Sequence, residues 1–534
     1  MKNYVVRELD RFDTVLAALC GVGAWAIYTR TLAPDVLYGD SAELQTLAYT
    51  LGHTHSTGYP IYLLLARLVG LLPIHSPAWR VNFFSALAAA LAVAGVYVLG
   101  RLLTNSRAGA GLAAVWLALS YTLWSQAVIA EVYAPGAAFL AWILTLTLRW
   151  LNNPGERGGS LFAAALLAGL GLGIHATTVL GAVPAAGLVV LRLAVYREGR
   201  AGWRRALLAG GGGLLLGAVL WLAAFWAIDL NNPPSSFINV TLYPSRSIWG
   251  LTPGDMDTPW ERITLTLASV QWRDVLFAGG GEAARAALID YLTGISVREF
   301  SAWFLLLALY GWWTLLARST WQGGYLLASY GLVLYFVLNY HPGDQYVFFL
   351  STYIPLAAAA GAGSGAVIER VSQWRWVARR GGGRAAAGLA FLVLAAALVG
   401  SPGAARLEAL KSGVAGFVEE DYQFPVKRLR EPRLLADMYL SRFPENAVVI
   451  VEWREIYAIA YLAYVEEKKP GLTLLEAMPR GNDGKVAASL IETVRQALAE
   501  GRPVYASRRF PGLEDHFRLA AAANRYVQVL PQNP

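Results

Sequence analysis

The chain is poor in the groups on which most soluble enzymes rely. Its 534 residues include one cysteine, six histidines and only 15% charged residues. The lone Cys20 lies inside an apolar run, which excludes a disulfide framework and a thiolate metal site. No glycine-rich phosphate loop and no metal-ligand spacing can be found, so a soluble-nucleotide site is not expected. Neither is an internal repeat. Lysine is scarce against arginine, alanine and glycine, a bias that bears on genome composition and not on function. A small-residue cleavage site is missing after the first apolar run, so 14–31 reads as a retained helix rather than a removed signal.

What is present is hydrophobic: 56% of residues are apolar, the composition of a polytopic α-helical membrane protein. The formal net charge of +8 comes in short basic clusters between apolar runs. That distribution marks topology and lipid headgroup contact, not nucleic acid. Runs of adequate length place about eleven spans near 14–31, 82–101, 108–126, 135–151, 160–176, 177–195, 205–228, 300–317, 322–340, 346–366 and 385–402. The 160–195 run must break around His175–Thr178 to give two spans. Gly/Ala-rich stretches near 208–217 and 356–366 suit close helix packing.

The topology turns on 61–74 (IYLLLARLVGLLPI), which is short, carries Arg67 and ends at Pro73; we assign it to a helix lying in the interface. With a cytoplasmic N-terminus, the clusters around Arg101/Arg107, Arg149/Arg157, 192–205, Arg318 and 370–384 then all fall inside the cell. The same parity gathers 40–60, Glu131, His175, the loop 229–299 and Asp344 on the extracytoplasmic face, as a composite active site requires.

The densest ionisable stretch is 39–60, GDSAELQTLAYTLGHTHSTGYP. Asp40, Glu43, His53, His55 and Tyr59 sit together there, and ionisable groups against a membrane are costly unless they work. Asp40 and Glu43 share a helix face; Asp40 would also serve as an N-cap, which explains Asp40 alone. Three further signals follow: Glu131 and Tyr133 in QAVIAEVYAP, His175 in GLGIHATT, and Asp344 and Tyr346 in NYHPGDQYVFFLSTY. The long 229–299 loop, with Arg246, Gln271 and Arg273, reads as an ordered interfacial lid.

The sequence splits into a membrane domain, 1–403, and an extracytoplasmic C-terminal domain, 404–534. In the latter a helical linker, roughly 404–443, precedes a small α/β domain with a parallel sheet: strands at 447–452, 472–475, 504–506 and 526–530, helices at 455–467, 486–498 and 513–523. A recognition or scaffolding role is expected of it.

Carboxylates beside an interfacial helix suit glycosyl transfer from a polyprenyl-phosphate sugar to a hydroxyl, where a carboxylate accepts the hydroxyl proton. Arg246, Arg273, His55 or His175 would support the departing lipid phosphate. The acids either hold a divalent ion or only position the acceptor; both alternatives stay open. A transporter handling protons or cations, and a non-catalytic assembly factor, are the rival readings.

The motifs Gly39-Asp40-Ser41-Ala42-Glu43, His55-Ser56-Thr57-Gly58-Tyr59-Pro60, Ala130-Glu131-Val132-Tyr133 and Gly173-Ile174-His175-Ala176-Thr177 also carry a resemblance. They resemble those of a membrane family once known as a domain of unknown function, whose animal member O-mannosylates plexin-type receptors. The likeness spans roughly 10–360. It departs from the family's usual form at Ser56-Thr57, where two prolines are expected, and at Ala42, where glycine is common. The resemblance implies a GT-C fold, an inverting glycosyltransferase using a polyprenyl-phosphate sugar, mannose first, and a protein or glycan hydroxyl acceptor. By the same likeness Asp40 is the candidate base, Glu43 its partner and Glu131 the second-loop acid. The remaining candidates, His53, His55, Tyr59, Tyr133, His175, Arg246, Gln271, Arg273, Asp344 and Tyr346, line the substrate site.

Overall fold

In this computed structural model the described residues are 8–152, 158–195, 199–374, 382–399, 426–477, 484–522 and 526–532. Each of the eleven expected apolar segments contains helix within its described residues. Six described helices are long and apolar enough to cross a membrane, among them Arg11–Thr31, Pro77–Thr104 and Tyr133–Asn152; two bent pairs bring the number to eight. One bent pair, Arg107–Ala118 with Tyr121–Ala127, turns by 61°. The expected span 108–126 is therefore broken at Leu119–Ser120, where the Ser120 side chain caps the second half.

The 160–195 run breaks as its pattern requires, into Gly158–Gly171 and Ala176–Val195, with His175 in the gap. The Pro60–Gly70 helix has only 11 residues, too few to span. Its first N–H groups have no partner within the helix. Those of Ile61 and Tyr62 both donate to the Gly173 carbonyl, at 3.1 Å each, which ties the GYP turn to the His175 loop. Gly58 sits in this turn at a φ of +69°. A Cβ there would also drive into the Phe225 ring.

The helices that form the core approach closely. Gly109 of Arg107–Ala118 faces Gly361 of Leu350–Ser372 so tightly that neither could carry a Cβ without displacing the other's backbone. Van der Waals contact of this kind replaces the hydrophobic drive that lipid does not supply. At one end of the bundle Arg101 and Arg107 close on Asp13 at 2.8 Å each, and Arg318 meets Glu369. The motifs singled out in the sequence lie at the opposite end.

The 229–299 segment is structured, as expected of a lid, but much of it is helical: it includes Pro259–Leu267 and Gly280–Gly294. The latter runs on to Glu299 and meets Ala302–Arg318 at 112°. Its 238–249 portion grips the C-terminal domain through Thr241–Glu476 (2.6 Å) and Ser247–Ser489 (3.0 Å).

The domain boundary expected at 403/404 lies outside the described residues. Of the linker, only a short turn at Val426–Arg428 and the helix Glu431–Leu440 are described. The sheet has five strands: β1 Val448–Val451, β2 Thr473–Glu476, β3 Val504–Ala506, β4 Phe517–Ala521 and β5 Val527–Pro531. Their order is β2-β1-β3-β5-β4. The parallel sheet expected from the sequence is only half right. β1 pairs parallel with β2 and β3, whereas β5 runs antiparallel between β3 and β4. The stretch 513–523, expected as a helix, supplies β4. Its alanine-rich run satisfies either period, and pairing with β5 decides for the strand, with Phe517 and Leu519 turned to the core.

Candidate active site

Asp40 occupies the first turn of the helix Gly39–Thr50, whose N-cap is Tyr38, with no side-chain capping bond. The carboxylate is thus not consumed in capping. One oxygen, Oδ1, accepts the indole N–H of Trp453 at 2.9 Å; the other lies 3.7 Å from His55 Nε2. With its side chain 44% exposed, Asp40 is open to an incoming group.

Glu43, one turn on, has a fully buried side chain. Its Oε1 accepts the His55 backbone N–H at 2.7 Å and its Oε2 lies 2.5 Å from His55 Nδ1. Burial pushes the Glu43 carboxyl up, against the pull of His55. Burial also works against a charge on His55, but Glu43 and Asp40 outweigh it and raise His55 to about 9. Two carboxylates flank the His55 ring, so at neutral pH the imidazole carries the proton. His55 thus engages both oxygens of Glu43, one through its backbone N–H and one through its ring. Among the described residues no group of three His, Cys, Asp or Glu could hold an ion.

The second motif arrives beside the first. Glu131 Oε1 accepts the Ser41 hydroxyl at 3.3 Å, and its backbone N–H meets Ser85 Oγ. Buried Gln45 orders the approach to this helix by bonding Leu37 N and Asn82. The third and fourth motifs build an aromatic wall. His175 stands 4.9 Å from the Tyr133 ring, 5.4 Å from Phe348 and 6.4 Å from Tyr59. Burial, with the charge on His55, lowers His175 to about 3. It stays neutral, so it brings no charge to a phosphate. Tyr59 donates to the Ser56 carbonyl at 3.2 Å and lies 3.4 Å from His55 Nε2.

Tyr133 donates to Asp344 Oδ2 at 3.2 Å. Burial and the nearby Asp40 raise Asp344 to about 6. A carboxyl whose folded value is raised stabilises the fold fully below its ordinary value of 3.8, and that contribution fades as pH climbs through about 6. Asp344→Asn should therefore flatten the fall in thermal midpoint between pH 4 and 7, a window set by those two values. A scan of detergent-solubilised protein checks this; a variant curve parallel to the wild type's refutes it.

Other candidates go elsewhere. His53 Nε2 bonds Asp229 Oδ1 at 2.8 Å, and Arg262 grips the same carboxylate from the other side at 2.9 and 2.7 Å. This buried triad locks the first loop to the long one. Arg246 reaches Glu492 at 2.7 Å and the Tyr243 carbonyl at 2.9 Å, in the C-terminal interface. Tyr346 faces Tyr121 and the Arg298 guanidinium, 5.5 Å from its ring. The side chains of Gln271 and Arg273 lie outside the described residues. Trp453 is the residue that sequence reasoning missed; its one signal was an aromatic directly after the carboxyl end of a buried strand, where open α/β sheets place their ligands.

Residues 40–198 match the family described as the protein O-mannosyl-transferase TMEM260 N-terminal domain. The protein O-mannosyl-transferase TMEM260 of Mus musculus is 32% identical over 236 residues, 44% of this chain and 31% of that protein. The Dictyostelium discoideum protein of the same name is 27% identical over 148 residues, 27% of this chain and 18% of that one. The chain thus spans under a third of the length of either relative. The crystal structure of ArnT from Cupriavidus metallidurans bound to undecaprenyl phosphate superposes over 97% of this chain and 98% of its own, at a TM-score of 0.58 and 13% identity. At that identity the likeness is one of fold.

Proposed function

We propose that this chain, which carries a TMEM260-type O-mannosyl-transferase domain on an ArnT-like GT-C fold, transfers a sugar from a polyprenyl-phosphate carrier to a hydroxyl acceptor. Mannose is the first sugar to test, on the strength of the named relatives. The observation that carries the reading is Asp40: a partly exposed carboxylate, hydrogen-bonded at one oxygen and with His55 3.7 Å from the other, at the end of the helix bundle where four motifs meet.

In the proposed reaction the acceptor oxygen bonds to the anomeric carbon from the face opposite the lipid phosphate. The bond from that carbon to the phosphate oxygen breaks, and the lipid phosphate leaves with the electron pair. Asp40 takes the acceptor proton as its oxygen gains positive character; unaided, a hydroxyl is far too weak an acid to release it near neutral pH. Protonated His55, paired to Glu43, keeps positive charge beside the site and favours anionic groups there. Glu43 is fully buried and acts through His55, as a positioning residue. Tyr133 and Phe348, only partly buried, are the rings of this wall open to an apolar or sugar surface, and buried Tyr59 and His175 back them.

The topology proposed with it has about eleven spans, the N-terminus in the cytoplasm, and the site and C-terminal domain on the other side of a cell membrane. The basic clusters support this orientation. A transporter is disfavoured because the carboxylates gather at one end of the bundle rather than at its middle. The test is transfer of radiolabel from a panel of polyprenyl-phosphate sugars by purified protein to hydroxyl acceptors, with a chelator titration in parallel. Turnover with one donor is expected; no turnover with any donor would refute the reading.

A further inference from the structure

We propose that the C-terminal domain is a working part of the active site, and that Trp453 is the positioning residue through which it acts, holding the Asp40 carboxylate in one orientation. The proposal rests on the reading of Asp40 as the base.

Trp453 comes 413 residues after Asp40 in the sequence. It opens the helix Trp453–Ala460, just beyond the end of β1, which lies between β2 and β3 in the sheet. Three rings fix the indole plane: His55 at 6.0 Å and 88°, Phe237 at 6.0 Å and Tyr457 at 5.4 Å. The only polar atom of the side chain is thereby aimed at Asp40 Oδ1, at 2.9 Å. His55 lies 3.7 Å from the other oxygen, too far for a hydrogen bond, so the directional bond from Trp453 is the one that sets the carboxylate's rotation about its Cβ–Cγ bond.

Docking by itself does not call for this donor. The same helix and its continuation are already pinned: Thr46 Oγ1 donates to the Tyr457 carbonyl at 3.1 Å, and the Ala78 N–H donates to Tyr461 Oη at 3.0 Å. Arg433 adds ion pairs to Asp35 and Glu466. An indole donor to an exposed carboxylate adds little to such an interface, whereas a base needs a fixed geometry, and small misplacement of a reacting group is costly in rate.

The test uses the full chain. Trp453→Phe keeps a ring among His55, Phe237 and Tyr457 and removes the donor; Tyr461→Phe weakens docking away from the site. With an active polyprenyl-phosphate sugar, Trp453→Phe should lower kcat about tenfold, the scale set by one hydrogen bond to a charged group. KM should hardly move, because Trp453 acts through Asp40, and Tyr461→Phe should keep wild-type kcat. A kcat for Trp453→Phe within twofold of wild type overturns the proposal, as does an equal loss in Tyr461→Phe, which would reduce Trp453 to a docking residue. A second readout needs no turnover: in protein labelled with 15N-tryptophan, the Trp453 indole N–H signal, assigned by its loss in Trp453→Phe, should shift in Asp40→Ala. An unmoved signal overturns the pairing. A wild-type protein that transfers no sugar overturns the functional reading instead, and the indole signal still decides the contact.

Discussion

On the proposed mechanism Asp40→Asn should lower sugar transfer by about 10²–10⁴-fold, the range expected when a general base is removed, with the protein still folded and still able to bind a polyprenyl-phosphate sugar. The substitution is chosen for what it leaves in place. The amide oxygen of asparagine can still accept the Trp453 indole N–H, now made to Oδ1 at 2.9 Å, so the side chain keeps its orientation. What it loses is the capacity to take a proton. A second consequence is local: His55 forfeits the carboxylate 3.7 Å from Nε2 but keeps Glu43 on Nδ1, so the helix Gly39–Thr50 should not unfold. Initial rates with labelled donor, beside a thermal midpoint and a donor-binding isotherm, separate these effects. Activity within tenfold of wild type would remove Asp40 from the mechanism and leave Glu131, bonded to Ser41, as the next candidate.

Glu43→Ala should be the most damaging change to stability in the site, costing about 3–5 kcal/mol, because it strands a charged imidazole in a buried place. It deletes both oxygens that bond His55, one to the backbone and one to the ring, and leaves a void in a fully buried position. Sugar transfer should fall with it, since His55 would lose the contact that sets its charge and place. The pH dependence gives an independent check, and its sign follows from His55. That group is raised from 6.5 to about 9 in the fold. Its stabilising contribution is complete below about 6.5 and disappears as pH rises through about 9. Wild-type protein should therefore lose thermal stability between pH 7 and 10, a window set by that shift, and Glu43→Ala should lose little more there, having lost the contribution already. A wild-type midpoint that stays flat across this range would mean that His55 is not held protonated.

The C-terminal sheet region packs against the loops that carry the candidate site. Its contacts run to the first loop through Thr46, Ala78 and Asp35 and to the long loop through Thr241, Arg246 and Ser247. The Arg246 expected to support a phosphate is instead spent on Glu492, and the His53 expected to touch substrate closes on Asp229. Both join separate parts of the chain around the first loop.

By itself the sequence determined the membrane class, the break at His175, and the prominence of Asp40, Glu43, His55, Glu131, Tyr133 and Asp344. Each of these is legible because a polar group in an apolar chain must be explained where it stands, by the local cost of burying it. Only the tertiary structure decided what each polar group meets. A charge pattern along the chain shows that His53 or Arg246 needs a partner without showing which, and Trp453 follows a buried-strand pattern that looks structural until this part of the chain folds back over the first loop. The strand at Phe517–Ala521 has the same cause. Its run of alanines on its own favours a helix, and the choice of a strand is made by hydrogen bonds to β5, a partner that exists only once the sheet has formed.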